Sequence, residues 1–236
     1  LPGAICRKIM GLAHSPKIVT DGLVLSLDAL DLKSYSGSGS TWYDRSGNAH
    51  NGSKVSAPAF SSDNGGVFVF DGTDDGFSFS SVPQVFDGSV TFEGWFYFED
   101  SGVRDILFGS YNESGTKVNF ERSSSNNLRL WWNNGTNNIY SSNNTVPSDQ
   151  WCYVTMIRNK EAGKFQFYVN GELDTEPTVS SADIATVATP FRLGRDTRDG
   201  TTCLNGKIGN VKLYSKALTA SEILQNFNAT KSRFGL

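Results

Sequence analysis

The segment VTFEGWFYFE, residues 90–99, constrains the fold more than any other stretch of the chain. Alternation along an extended backbone puts Phe92, Phe96 and Phe98 on one face and Trp95 and Tyr97 on the other. A strand that is apolar on both faces needs cover on both. It therefore belongs at the centre of a sheet, with the core on one side and a loop or ligand groove on the other. Shorter runs repeat the strand signal. Leu23, Leu25 and Leu27 alternate with Val24, Ser26 and Asp28, and two short strands at 67–70 and 77–79 flank the turn DGTDDG. Residues 128–132 and 138–141 read as a hairpin about Asn134-Gly135, and 151–157 with 164–169 as a second pair followed by a turn at Asn170-Gly171.

The last quarter predicts a hairpin and then a helix. Phe191 and Leu193 end one strand, Asn205-Gly206 supplies a tight turn, and Ile208 to Tyr214 form the return strand. Ile208 is out of phase with Val211 and Leu213, which predicts a bulge near Gly209 and Asn210. Thr219 followed three residues later by Glu222 is a capping box, so a short helix starts there. The Gly- and Ser-rich stretch from Ser34 to Gly52 reads as a packed loop, held down by Trp42 and Tyr43.

A chain of 236 residues without a linker or repeat is expected to be one domain, residues 20–236, behind an irregular N-terminal arm at 1–19 that docks on a partner subunit. Charged residues are only 19% of the total, while Gly (24) and Phe (16) are plentiful, which favours strands and turns over helices. A net charge of −3 with scattered Lys and Arg argues against a nucleic-acid surface. No apolar run is long enough for a signal peptide or a membrane span, so neither a nucleic acid nor a membrane is expected as partner. Cys6, Cys152 and Cys203 match no zinc spacing and no closed disulfide set, which fits assembly in a reducing compartment. Leu1 in place of Met implies processing, trimming or a start further upstream.

Four motifs in order carry a family resemblance. FVFDGTDDGFSF, VTFEGWFYF, FQFYVNGEL and the closing pair GKIGNVKLY and ALTASEI are similar to segments of laminin-G-like (concanavalin A-like) jelly-roll domains. The resemblance implies an all-β sandwich of two antiparallel sheets, a short C-terminal helix against the sandwich edge, and a binding or adhesive role without catalysis. The flanks HSPKIVTDGLVLSLDA, SYSGSGSTWYDRSGN and EILQNFNATKSRFG resemble copies carried on tailed-bacteriophage particles. That implies a virion surface protein, a capsid decoration or fibre component, assembled in multiple copies with other virion proteins and adhesive to host glycans. A carbohydrate-binding module at a cell surface or outside the cell is the alternative.

Three constellations bear on chemistry. Trp95, Tyr97, Trp131, Tyr153 and Tyr168 are candidates for an aromatic sugar platform, with core packing as the competing explanation. Asp71, Asp74 and Asp75 provide hard oxygen ligands in a Gly-containing loop, read either as Asx-turn residues or as a calcium site. Glu172, Asp174 and Glu176 share the E-x-D-x-E spacing of β-glucanases, which puts three carboxylates on one strand face. Their position between an Asn-Gly turn and Pro177 places them at a sheet margin instead, and no catalytic residue is expected.

Overall fold

The computed structural model describes residues 16–80, 85–100, 102–111, 117–133, 137–178, 183, 191–196 and 202–236. Among the described residues, sixteen strands form two antiparallel sheets, and a single α-helix, α1 (Ala220–Thr230), follows the last strand. The first sheet runs in the order β14 (Glu172–Thr175), β13 (Lys164–Val169), β12 (Trp151–Asn159), β7 (Val90–Phe98), β16 (Asn205–Tyr214), β5 (Val67–Asp71) and β4 (Ala59–Ser61). β1 (Leu23–Asp28) pairs with the second half of β16. The second sheet runs β11 (Asn137–Thr145), β10 (Asn127–Asn133), β9 (Lys117–Arg122), β8 (Asp105–Tyr111), β15 (Phe191–Leu193), β6 (Gly76–Phe79), β3 (Gly52–Val55) and β2 (Thr41–Trp42).

Period-two alternation builds the core between the sheets. Phe92, Phe96 and Phe98 of β7 meet Phe108 and Phe120 of the opposing sheet, and Phe92 stacks on Phe108 and Phe120 with ring centroids 5.3 and 5.0 Å apart. β7 is central, as its two-sided pattern requires. Its outer face is covered by the chain's own C-terminus. Trp95 is fully buried, stacked on Phe227 of α1 and on Phe234 beyond it, and its Nε1 donates to Thr230 Oγ1 at 2.7 Å. The helix therefore lies over the outer face of the first sheet and not along the sandwich edge. Its capping box is formed: Thr219 Oγ1 accepts from the Glu222 main-chain N–H at 3.3 Å, and the Glu222 carboxylate accepts from the Thr219 N–H at 2.8 Å.

Below the helix runs a buried polar strip. Thr155, Glu93 and Lys212 are opposed across β12, β7 and β16, and Lys212 Nζ stands 3.6 Å from Glu93 Oε1. Asn226 of α1 donates to that carboxylate at 2.8 Å and accepts from the Val19 N–H at 2.7 Å, while Tyr214 Oη donates to the Val19 carbonyl at 3.1 Å. Val19 packs with Ile157, Tyr168 and Ile223, so the sandwich begins before residue 20. Residues 1–15 of the expected N-terminal arm, Cys6 among them, and the turn at Asn134-Gly135 lie outside the described residues.

Two expectations are corrected. Residues 191–193 and 205–214 do not form a hairpin: β15 pairs with β6 and β8 in the second sheet, and β16 with β7, β5 and β1 in the first. Asn205 and Gly206 begin β16 itself, because pairing with Asp71 and Phe70 of β5 outweighs their local turn preference. In the loop between β1 and β3, Trp42 is fully buried against Phe68 and Phe77, but Tyr43 points to solvent, 52% exposed. The bulge between Ile208 and Asn210 is present, and Asn170-Gly171 turns with φ of 52° and 82°.

Candidate functional site

The five candidate aromatics do not share a surface. Trp95 and Tyr153 are fully buried beneath α1, and Tyr168 is packed against Val19 and Leu218, so none of the three offers a ring to a ligand. Tyr97 is half-buried on the same sheet, with Trp151 edge-on at 5.8 Å and Lys207 over its ring at 5.3 Å. Trp131 alone lies on the other sheet. The platform fails because alternation puts Trp95 on the face that the C-terminal helix occupies, which a strand pattern does not reveal.

Asp71, Asp74 and Asp75 do come together, with ligand oxygens within 4.8 Å of one another. They also satisfy the loop. Asp71 Oδ1 accepts from the Thr73 and Asp74 N–H groups at 2.8 and 3.3 Å, and the Asp75 carboxylate accepts from the Ala57 and Asp71 N–H groups at 3.0 and 3.2 Å. The Thr73 N–H leads the causes that hold Asp71 below the usual carboxylate range, whereas burial pushes Asp75 above it. Two main-chain carbonyls of the loop also have donors. Cys203 Sγ is 3.3 Å from the Thr73 carbonyl, and Arg195 Nη1 donates to that of Asp74.

Glu172, Asp174 and Glu176 lie on and just beyond β14, the edge strand of the first sheet. A register shift opposite Phe167 and Tyr168 breaks their alternation. Asp174 accepts from the Asn143 N–H at 2.5 Å and from Asn144 Nδ2 at 2.6 Å, and Glu176 pairs with Lys164, whose hydrogen bond lowers its pKa.

A further array of charged and polar side chains is on the outward face of the second sheet. Val118 and Phe120 of β9, and Leu128, Leu130 and Trp132 of β10, face the core, so Asn119, Glu121, Arg129 and Trp131 face out. Strand register then aligns Ser53, Ser78, Arg192, Gly109, Asn119 and Trp131 in one row across β3, β6, β15, β8, β9 and β10. Five inter-strand spacings make that row about 24 Å wide. Gly109 is required by close approach: a methyl there would collide with Asn119 Oδ1 and the Val118 carbonyl.

Beside the row sits a charge network. Glu121 is fully buried, and its Oε1 accepts from Trp131 Nε1 at 2.7 Å and from Arg129 Nε. Arg104 Nε lies 3.5 Å from Glu121 Oε2, and Arg104 Nη2 lies 3.3 Å from Asp196 Oδ2. Burial pushes the Glu121 pKa up, against the pull of the nearby Arg104 and Arg129. The Arg129 guanidinium stands over the half-buried Trp131 ring at 5.4 Å. The indole is therefore held by two contacts, and a partly open aromatic face is fixed among polar groups. At the end of this face a cavity of about 280 Å³ is lined by Gly72, Val103, Arg104, Thr202 and Cys203. An indole edge or face beside fixed charged groups has the chemistry to contact a polar ligand with planar apolar faces and many hydroxyls.

A family model described as the concanavalin A-like lectin/glucanase superfamily (Laminin_G_3) matches residues 71–224, well over half of the chain. The chain belongs to this superfamily. No curated protein matches it at the sequence level. Among solved structures it is similar to domain 4 of AbnA, an extracellular arabinanase from Geobacillus stearothermophilus in complex with arabinotriose, at 18% identity and a TM-score of 0.67, covering 86% of this chain and 97% of that one. The binding domain of Paraclostridial Mosquitocidal Protein 1 gives 16% identity and a TM-score of 0.68 over 89% of this chain, which spans 52% of that structure. Trypanosoma rangeli sialidase in complex with sialic acid gives 16% and 0.66, with 90% of this chain spanning 33% of the enzyme. At these identities the likeness is one of fold.

Sequence reasoning picked out Trp131 but missed Arg104, Asn119, Glu121 and Arg192. The signal was present in KVNFER, where Val118 and Phe120 alternate with Asn119 and Glu121. The run is short and weakly apolar, which is why it did not stand out.

Proposed function

We propose that this domain is a non-catalytic carbohydrate-binding module whose ligand lies on the outward face of the second sheet, against the half-buried Trp131, Arg192 and Ser78. The observation that carries the reading is the Trp131–Glu121–Arg129 arrangement, in which a fully buried carboxylate fixes an indole that is itself still partly open. The edge position of Glu172, Asp174 and Glu176, and the partners that Asp174 and Glu176 already hold, support the absence of hydrolysis. Resemblance of the flanking segments to phage-borne copies supports display on a virion surface, in several copies among capsid or fibre subunits, where the module would attach to host glycans.

A glycan microarray with wild type and Trp131→Ala tests the module. Wild type is expected to retain a set of glycans, with signal reduced about ten-fold or more by the substitution. Equal retention by the two proteins removes the face from consideration, and reducing sugar released from mixed-linkage glucan and abolished by Glu172→Gln would make the chain a hydrolase. Antibody labelling of purified particles should decorate their surface; the domain's absence from them contradicts the virion reading.

A further inference from the structure

The described part of this face carries more positive charge than it neutralises. Arg104, Arg129 and Arg192 surround two carboxylates, Glu121 and Asp196, and Arg195 stands between them and the aspartate loop at 71–75. Arg104 and Arg129 pair with those carboxylates. Arg192 and Arg195 hydrogen-bond to uncharged oxygens: Arg192 Nη1 donates to the Asp196 main-chain carbonyl at 3.3 Å, and Arg195 Nη1 to the Asp74 main-chain carbonyl and, at 3.4 Å, to Ser56 Oγ. Among the described residues, neither is within ion-pair distance of a carboxylate.

The two guanidiniums also repel each other. Arg192 is half-buried and its Nε is buried without a hydrogen-bond partner. Burial first, and then the charge of Arg195, push its pKa below the ordinary arginine value, in a protein whose net charge is −3. Asp196 offsets part of this, and the unpartnered Nε leaves the guanidinium open to a further group of opposite charge. Alternation fixes Arg192 outward between the core residues Phe191 and Leu193, in the middle of the cross-sheet row, beside Gly109, over which the Asn119 side chain lies.

From this geometry we infer that the glycan is acidic, and that a sugar carboxylate or sulfate is seated on Arg192, with Arg195 as the second cation, while a neighbouring ring rests against Trp131. Arginine suits the task because its planar fork gives two parallel charge-assisted bonds to a carboxylate or sulfate. The inference rests on the proposed carbohydrate-binding role of the same face.

Calorimetric titration at about 50 mM salt, where screening is moderate, distinguishes the possibilities with three probes: a galacturonate tetrasaccharide, a heparin-derived tetrasaccharide and a neutral galactose tetrasaccharide. The domain is expected to bind one acidic probe about ten-fold more tightly than the neutral one, with the difference shrinking as salt is added. The better acidic probe tells carboxylate from sulfate. Arg192→Gln should bring acidic binding down to the neutral level with an unchanged or raised melting temperature, because a repulsive pair is relieved, and Arg192→Lys should fall between them. Arg195→Gln gives the same readout if Arg192→Gln folds poorly. Lack of preference for either acidic probe overturns the inference. So does a substantially lower melting temperature in both glutamine variants, which would make the arginines structural. Binding that is equal across the three probes but lost in Trp131→Ala sinks the acidic ligand and leaves the carbohydrate face standing; no retention of any probe or array glycan removes both.

Discussion

Trp95→Ala tests the assignment of that tryptophan to the fold and not to a ligand. The side chain is fully buried, stacked at 4.3 Å on Phe234 and at 5.7 Å on Phe227, and tilted at 5.1 Å on Tyr153. Truncating a buried tryptophan costs about 3–5 kcal/mol, and the Nε1 bond to Thr230 adds about 1 kcal/mol to the upper part of that range. For a chain of this size each kcal/mol lowers the melting temperature by about 2–4 °C, so a loss of about 4–5 kcal/mol corresponds to about 8–20 °C. Trp95→Phe keeps part of the stack but loses the hydrogen bond and some buried ring volume, so it should cost about 2–3 kcal/mol. Circular dichroism gives the melting temperature, and amide exchange in α1 shows whether the helix has loosened. Glycan affinity of the folded Trp95→Ala protein should match wild type, since Trp95 and Trp131 lie on different sheets. A melting temperature within about 2 °C of wild type, together with lost glycan binding, would refute the reasoning and restore Trp95 to a binding site.

Thr219→Ala removes the capping hydroxyl of α1 and should cost about 1 kcal/mol by denaturant titration. Burial raises the Glu93 pKa above its unfolded value, so the folded state holds that proton more tightly. The resulting stabilisation is full below pH about 4.5 and is lost as pH rises through the folded value. Melting temperature should therefore fall more steeply with rising pH in wild type than in Glu93→Gln, and parallel curves would contradict the burial argument. The aspartate loop is expected to be structural: added calcium should leave the melting temperature unchanged, and a concentration-dependent rise abolished by Asp74→Ala would assign the loop to the ion.

The fold was legible where a local signal and its tertiary environment agree. Val90–Phe98 announced a central strand because both faces are apolar, and Thr219 with Glu222 announced the helix start because both groups act within one turn. The closing hairpin was misread because Asn205-Gly206 has the chemistry of a turn, while pairing with β5 and β7 across the sheet decides its conformation. Of the site, Trp131 was visible as an aromatic residue in a strand. Its separation from Trp95 was not, because alternation tells which residues share a face but not which sheet a strand joins or what covers it. Arg192 drew no attention between Phe191 and Leu193. Its importance comes from Ser78 and Gly109, which only the sheet order brings beside it.

The most direct test of the glycan face is amide chemical-shift mapping of the isotopically labelled domain during titration with the tightest-binding oligosaccharide. The account predicts the largest changes along Ser78, Gly109, Asn119, Trp131 and Arg192, together with the Trp131 indole N–H, and little change in α1 or at Glu172 to Glu176. Changes centred on the aspartate loop at 71–75, or on the edge strand β14, would contradict it.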